Sequence, residues 1–72
     1  MGFSYKPLWK LLIDKEMTKK RLMDITGISK STMDKLGRGE FVSLEILGRI
    51  CEKLDCNIED IVHYQPEGQN AL

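Results

Sequence analysis

The sequence predicts an all-α fold of five short helices. Three observations carry that reading. Apolar residues recur at three- and four-residue spacing along most of the chain. A side chain able to cap a helix stands just ahead of four such segments, at Thr18, Ser29, Ser43 and Asn57. Gly27, Gly37 and Gly39 fall where helices are expected to stop. Beyond a short N-terminal arm, no strand pattern, internal repeat or low-complexity segment competes with this reading.

The elements follow in order. Phe3, Ser4 and Tyr5 alternate and fit an extended arm. Pro7 suits the first turn of a helix, where its missing N–H is no loss. Leu8, Leu11 and Leu12 then share one helical face, with Trp9 and Ile13 beside it, and this helix is expected to end near Lys15. Thr18 caps a second helix over 18–26, apolar at Leu22 and Ile25 and closed by Gly27. Ser29 caps a third over 29–36, with Met33 and Leu36 inward. Ser43 caps a fourth, whose buried stripe is Leu44, Leu47, Ile50, Cys51 and Leu54. Asn57 caps a short fifth helix with Ile58, Ile61 and Val62 inward, where Glu59 and Asp60 suit the first turn of the helix dipole. Residues 1–64 form one domain. Residues 65–72, with Pro66 and Gly68 just after His63, read as a flexible tail.

The second and third helices, joined at Gly27, make a helix-turn-helix, a shape that sets its second helix into the DNA major groove. The residues in and around it, Thr18, Leu22, Gly27, Ile28, Ser29, Ser31, Thr32, Met33 and Leu36, resemble the DNA-binding motif of the phage Cro/repressor-type transcriptional regulators. The likeness extends from about Leu8 to Val62. It implies a lambda-repressor-like domain that binds double-stranded DNA in a sequence-specific way, most simply as a repressor that occludes its site. Three positions depart from the family pattern. Met23 stands where alanine is usual, Thr26 where an apolar residue is usual, and Gly37 where glutamate is common. The first two bear on the angle between the helices, and Gly37 is expected to end the third helix early.

In a helix-turn-helix the first turn of the second helix of the pair meets base edges. Lys30, Ser31, Asp34 and Lys35 lie there without a core role. The two lysines can donate to guanine O6 and N7, Ser31 can donate or accept, and Asp34 can accept from cytosine N4. Asp34 is equally placed to pair with Lys30 at i,i+4. Ser29 and Thr32 are expected to cap the helix or touch phosphate. The resemblance places the counterparts of Lys19 and Arg38 on the DNA backbone, with Lys20 in reserve beside Lys19.

The formal net charge of zero conceals a polarity. Residues 1–39 carry nine Lys and Arg against four acids, and residues 40–72 carry two against seven. The basic half is the half with the helix-turn-helix, so the local field favours a polyanion.

Other functions find less support. The longest apolar run is far short of the roughly 20 residues that span a bilayer, and the N-terminus lacks a signal-peptide layout, so a cytoplasmic protein without a membrane partner is expected. No serine has a plausible base and orienting acid, and no glycine loop suits a nucleotide, so neither an enzyme nor a cofactor is expected. Cys51 and Cys56 read as free thiols in a reducing compartment, and with His63 they form no familiar zinc spacing. Trp9 reads as core rather than a stacking platform.

A chain of only 72 residues gains stability from a partner, and one recognition helix spans only a few base pairs. A homodimer is therefore expected, through Ile58, Ile61, Val62 and Tyr64. The rival reading is a protein-interaction module of the same fold, such as an antitoxin-like subunit that docks a basic partner with its acidic C-terminal half. RNA binding finds no aromatic sheet to support it.

Overall fold

The computed structural model describes residues 2–64. A short strand β1 (Phe3–Ser4) leads into helices α1 (Lys6–Asp14), α2 (Lys19–Thr26), α3 (Lys30–Gly37) and α4 (Leu44–Leu54). A single 3-10 turn (Ile58–Asp60) and strand β2 (His63–Tyr64) complete the chain. The two strands pair antiparallel, with Phe3 opposite Tyr64 and Ser4 opposite His63.

The capping residues define the helices. The hydroxyl of Thr18 accepts from the Arg21 N–H at 3.0 Å, and that of Ser29 accepts from the Thr32 N–H at 3.2 Å. Ser43 accepts from the Ile46 N–H in the same way. Each satisfies a donor that a helix start leaves without a partner. Gly27 ends α2 in the left-handed conformation, φ 75°, which a side chain would oppose.

The helices close on one core, in which Leu8, Leu22, Leu36, Ile50 and Ile61 are almost completely buried. α2 packs on both α3 and α4, and α1 packs on the 3-10 turn. Thr26, polar at a core position, is 6 % exposed. Its hydroxyl donates to the Leu22 carbonyl at 2.6 Å and accepts from the Ile28 N–H at 3.4 Å. Both its hydrogen-bonding roles are filled, so the departure from an apolar residue leaves no unsatisfied group in the core.

Three expectations are corrected. The fifth helix is one 3-10 turn, not an α-helix. Ile58, Ile61 and Val62 are β-branched and poor helix formers, and pairing of His63 with Ser4 draws the chain into a strand immediately afterwards. For the same reason, His63 and Tyr64 are sheet residues anchoring the C-terminal end of the domain to its N-terminal arm. Gly37 does not end α3 early, because the helix includes it and the left-handed residue is Gly39, φ 74°. The tail expected at 65–72 lies outside the described residues.

Tyr5, directly after the arm, ties these parts together. It is buried, and its hydroxyl donates to the Glu40 carbonyl at 2.9 Å. Burial pushes its phenol up from the ordinary range, opposed by a hydrogen bond from the Val42 backbone. The α3–α4 loop is thus fastened to the start of the chain.

At the end of α4, Asp55 takes the left-handed conformation and the Cys56 N–H donates to the Cys51 carbonyl at 3.0 Å. This reversal brings the two free thiols together, half-buried against the core. Burial first, and then neighbouring Cys51, push the Cys56 thiol up to about 11. The thiolate is the reactive form, so near neutral pH Cys56 is held as the unreactive thiol. Cys56 is therefore expected to react with iodoacetamide at pH 8 at least about tenfold more slowly than a free cysteine. Mass spectrometry of tryptic peptides after timed quenching measures it, and labelling as fast as in the denatured chain contradicts it.

Candidate nucleic-acid interface

Successive residues of an α-helix are rotated by about 100°. On α3 this places Met33 and Leu36 on one side and Lys30, Ser31, Asp34 and Lys35 on the other. Met33 and Leu36 are buried, and the other four are exposed. The inner face packs the helix against the domain, and the outer face is a strip of donors and one acceptor. All four residues expected to read bases share that strip.

Their immediate partners differ. Lys30 Nζ lies 3.4 Å from Asp34 Oδ1, an exposed i,i+4 pair. Such a pair contributes at most about 1 kcal/mol, so a base edge competes readily for either side chain. The Ser31 hydroxyl lies 3.1 Å from that of Ser29. Ser29 also donates to the Thr32 hydroxyl at 3.1 Å. Ser29 is thus a helix cap, and Thr32 is half-buried behind it. Both remain near the start of α3, where free backbone N–H groups favour an anion.

The flanks of the strip are basic. Lys19, Lys20 and Arg21 occupy the first turn of α2, which holds no acid. Cations there oppose the helix dipole by about 0.3–1 kcal/mol each. The arrangement is unfavourable for the isolated helix and favourable once a phosphate approaches. Lys19 Nζ lies 4.5 Å from the centroid of the Trp9 ring, a cation–π contact. Beyond α3, Arg38 Nε donates to Glu40 Oε2 at 2.7 Å. The hydrogen bond and charge of Glu40 raise the Arg38 guanidinium above its ordinary range, while Arg38 and then Lys35 hold the Glu40 carboxyl below its own.

Sequence reasoning missed four participants. Trp9 was expected in the core and is half-buried with a cation over its ring. No periodicity signals a contact across the α1–α2 turn. Glu40 carried no expectation, although the spacing Arg38-x-Glu40 makes a local pair legible. Phe41, on which the sequence carried no expectation, is exposed beside Phe3. Leu44, expected in the buried stripe of the fourth helix, is exposed instead, because it stands at the first position of α4, before the helix meets the core. Of the residues expected in a dimer interface, Ile58 and Tyr64 are exposed and Val62 is half-buried. Ile61 is 0 % exposed. It belongs to the core and has no surface to offer a partner. Among the described residues, no group of three or more His, Cys, Asp or Glu gathers as a metal ligand set. No helix there is long and apolar enough to cross a membrane.

The capped helix pair, the left-handed glycine between them and the polar outer strip define a helix-turn-helix DNA-binding domain. The family model of the Cro/C1-type HTH DNA-binding domain matches residues 7–67, and the chain belongs to that family. It is also similar to the crystal structure of the transcriptional regulator VanUg, with 52 % sequence identity and a TM-score of 0.88. That match covers 92 % of this chain and 88 % of the other. No curated protein matches.

Proposed function

We propose that this protein is a cytoplasmic, sequence-specific regulator of transcription that binds double-stranded DNA as a homodimer and represses by occluding its site. One observation carries the reading. Lys30, Ser31, Asp34 and Lys35 form a single exposed strip on a helix whose other face is buried. A rigid helix bearing donors and an acceptor is what a major groove can read. Lys19, Lys20 and Arg38, with the capped helix start at Ser29 and Thr32, supply the phosphate contacts that fix register.

The homodimer rests on a second surface. Phe3 stacks edge-on against both Phe41 and Tyr64, at centroid distances of 5.9 and 5.2 Å. Beside them lies an open apolar groove of about 310 Å³, lined by Leu44, Ile58 and Val62 among others. Leu44 is 78 % exposed and Tyr64 60 %. Clustered exposed apolar side chains mark an interaction surface, and a second copy supplies both the cover and the second reading head. The interface read from the sequence keeps Ile58, Val62 and Tyr64, loses Ile61, and gains Phe41 and Leu44.

Fluorescence anisotropy with a labelled duplex, the matching single strand and a duplex RNA tests the function. The duplex DNA is expected to bind tightest, with affinity that falls steeply with salt. Equal affinity for all three probes would falsify the DNA assignment. Sedimentation of the chain at tens of micromolar, with and without duplex, reads the assembly. A monomer under both conditions contradicts the dimer.

Glu40 supplies a further expectation. It neutralises Arg38 in the DNA-free chain and adds a negative charge beside the phosphate path. Glu40→Gln is expected to tighten binding to every duplex alike, by about two- to fivefold at low salt, the scale of one exposed ion pair. The gain fades as salt screens it. Weaker binding, or a gain confined to one sequence, contradicts this role.

A further inference from the structure

We propose that Trp9 is a positioning residue for DNA binding, which holds the Lys19 ammonium over its ring and presents it to a backbone phosphate. The inference rests on the proposed function and adds to it a residue outside the helix-turn-helix. Trp9 belongs to α1 and is half-buried, so its ring is fixed by the core. Lys19 is exposed, at the first position of α2 behind the Thr18 cap. Its long stem is otherwise free to sample many rotamers and is pushed from the helix start by Lys20, Arg21 and the dipole. The ring at 4.5 Å supplies a preferred place for the ammonium. An ammonium seated on a π face still has N–H groups pointing away from the ring, and these are free for a phosphate oxygen.

The location strengthens the inference. Trp9 also lines a cleft with Lys6 and Arg38, where the end of α3 approaches α1. The indole therefore touches Lys19 and shares a cleft with Arg38, the two cations proposed to meet the DNA backbone. A pre-placed cation loses less freedom on binding than one ordered by the phosphate itself, and the difference appears as affinity. Because phosphates are alike at every step, the effect is independent of sequence.

A double-mutant cycle on a mixed-sequence 20-base-pair duplex tests it, with melting curves to confirm folding. Trp9→Leu is expected to weaken binding about two- to fivefold, the scale of an exposed cation–π contact. In the Lys19→Gln background the same change is expected to cost nothing. Trp9→Phe keeps an aromatic face and is expected to recover most of the loss. Equal losses for Trp9→Leu with and without Lys19 overturn the inference and make Trp9 a packing residue only. Should Trp9→Leu fail to fold, the native fluorophore carries the test, since Trp9 is the single tryptophan. Its emission is expected to change in the free Lys19→Gln variant, and duplex is expected to perturb it in the wild type more than in that variant. Emission indifferent to both overturns the inference. A wild-type chain that binds no duplex overturns the proposed function with it, whereas additive losses on a duplex that does bind overturn the inference alone.

Discussion

Replacing Leu36 with alanine is expected to lower the melting temperature by about 8–40 °C. Leu36 is 1 % exposed and lies on the inner face of α3. Removing a buried leucine beyond its β-carbon forfeits the transfer of that surface from water and leaves a cavity. The two together destabilise by about 2–5 kcal/mol. In a domain this small each kcal/mol moves the midpoint by about 4–8 °C. The change touches no residue of the outer strip. At a temperature where the variant remains folded, its sequence preference should therefore persist while its affinity falls, because α3 is held less rigidly. Thermal melting followed by circular dichroism measures the first part and a binding titration at low temperature the second. A midpoint within a few degrees of the wild type contradicts the placement of Leu36.

The second expectation separates the two kinds of DNA contact. Lys30→Ala or Ser31→Ala is expected to weaken the best duplex by about 1–3 kcal/mol and to flatten preference at one or two positions. Either should scarcely change binding to a scrambled duplex. Lys19→Ala or Arg38→Ala is expected to weaken both duplexes alike and to reduce the salt slope by roughly one unit. The reason is physical. A phosphate presents the same face at every step, whereas the groove edge does not. The Lys30–Asp34 pair is broken when Lys30 is truncated, but both side chains are exposed and the pair itself contributes little. Titration of the four variants against both duplexes at two salt concentrations decides the matter. Equal losses on the two duplexes for Lys30→Ala and Ser31→Ala reject the role assigned to them.

Much of the fold was legible because helix caps and stripes are local signals. Thr18, Ser29 and Ser43 each bond a backbone N–H three residues ahead, and the sequence shows the residue type and the spacing together. The division of α3 into a buried and an exposed face follows from the same arithmetic. What was illegible depends on contacts between distant parts of the chain. The fifth helix was shortened because Ser4 pairs with His63, a pairing that no window of neighbouring residues contains. Ile61 satisfies the pattern of an exposed terminal helix and of a core position equally well, and only its complete burial in the core separates them. The same holds for the outward faces of Phe41 and Leu44, and for the ring of Trp9 beneath Lys19. Thr26 is the reverse case. Its departure from the apolar pattern suggested a disturbed helix pair, and the hydroxyl's two hydrogen bonds, one back into α2 and one from the Ile28 N–H, absorb it.

The central claim is that the outer strip of α3 reads sequence and does so in two copies. Selection of bound duplexes from a random pool tests it most directly. The expected product is an enriched palindromic motif with half-site centres about 34 Å, one turn of DNA, apart, and a pool selected with Lys30→Ala should lose preference at symmetry-related positions. A pool that remains bound through repeated rounds yet shows no enriched sequence contradicts the claim.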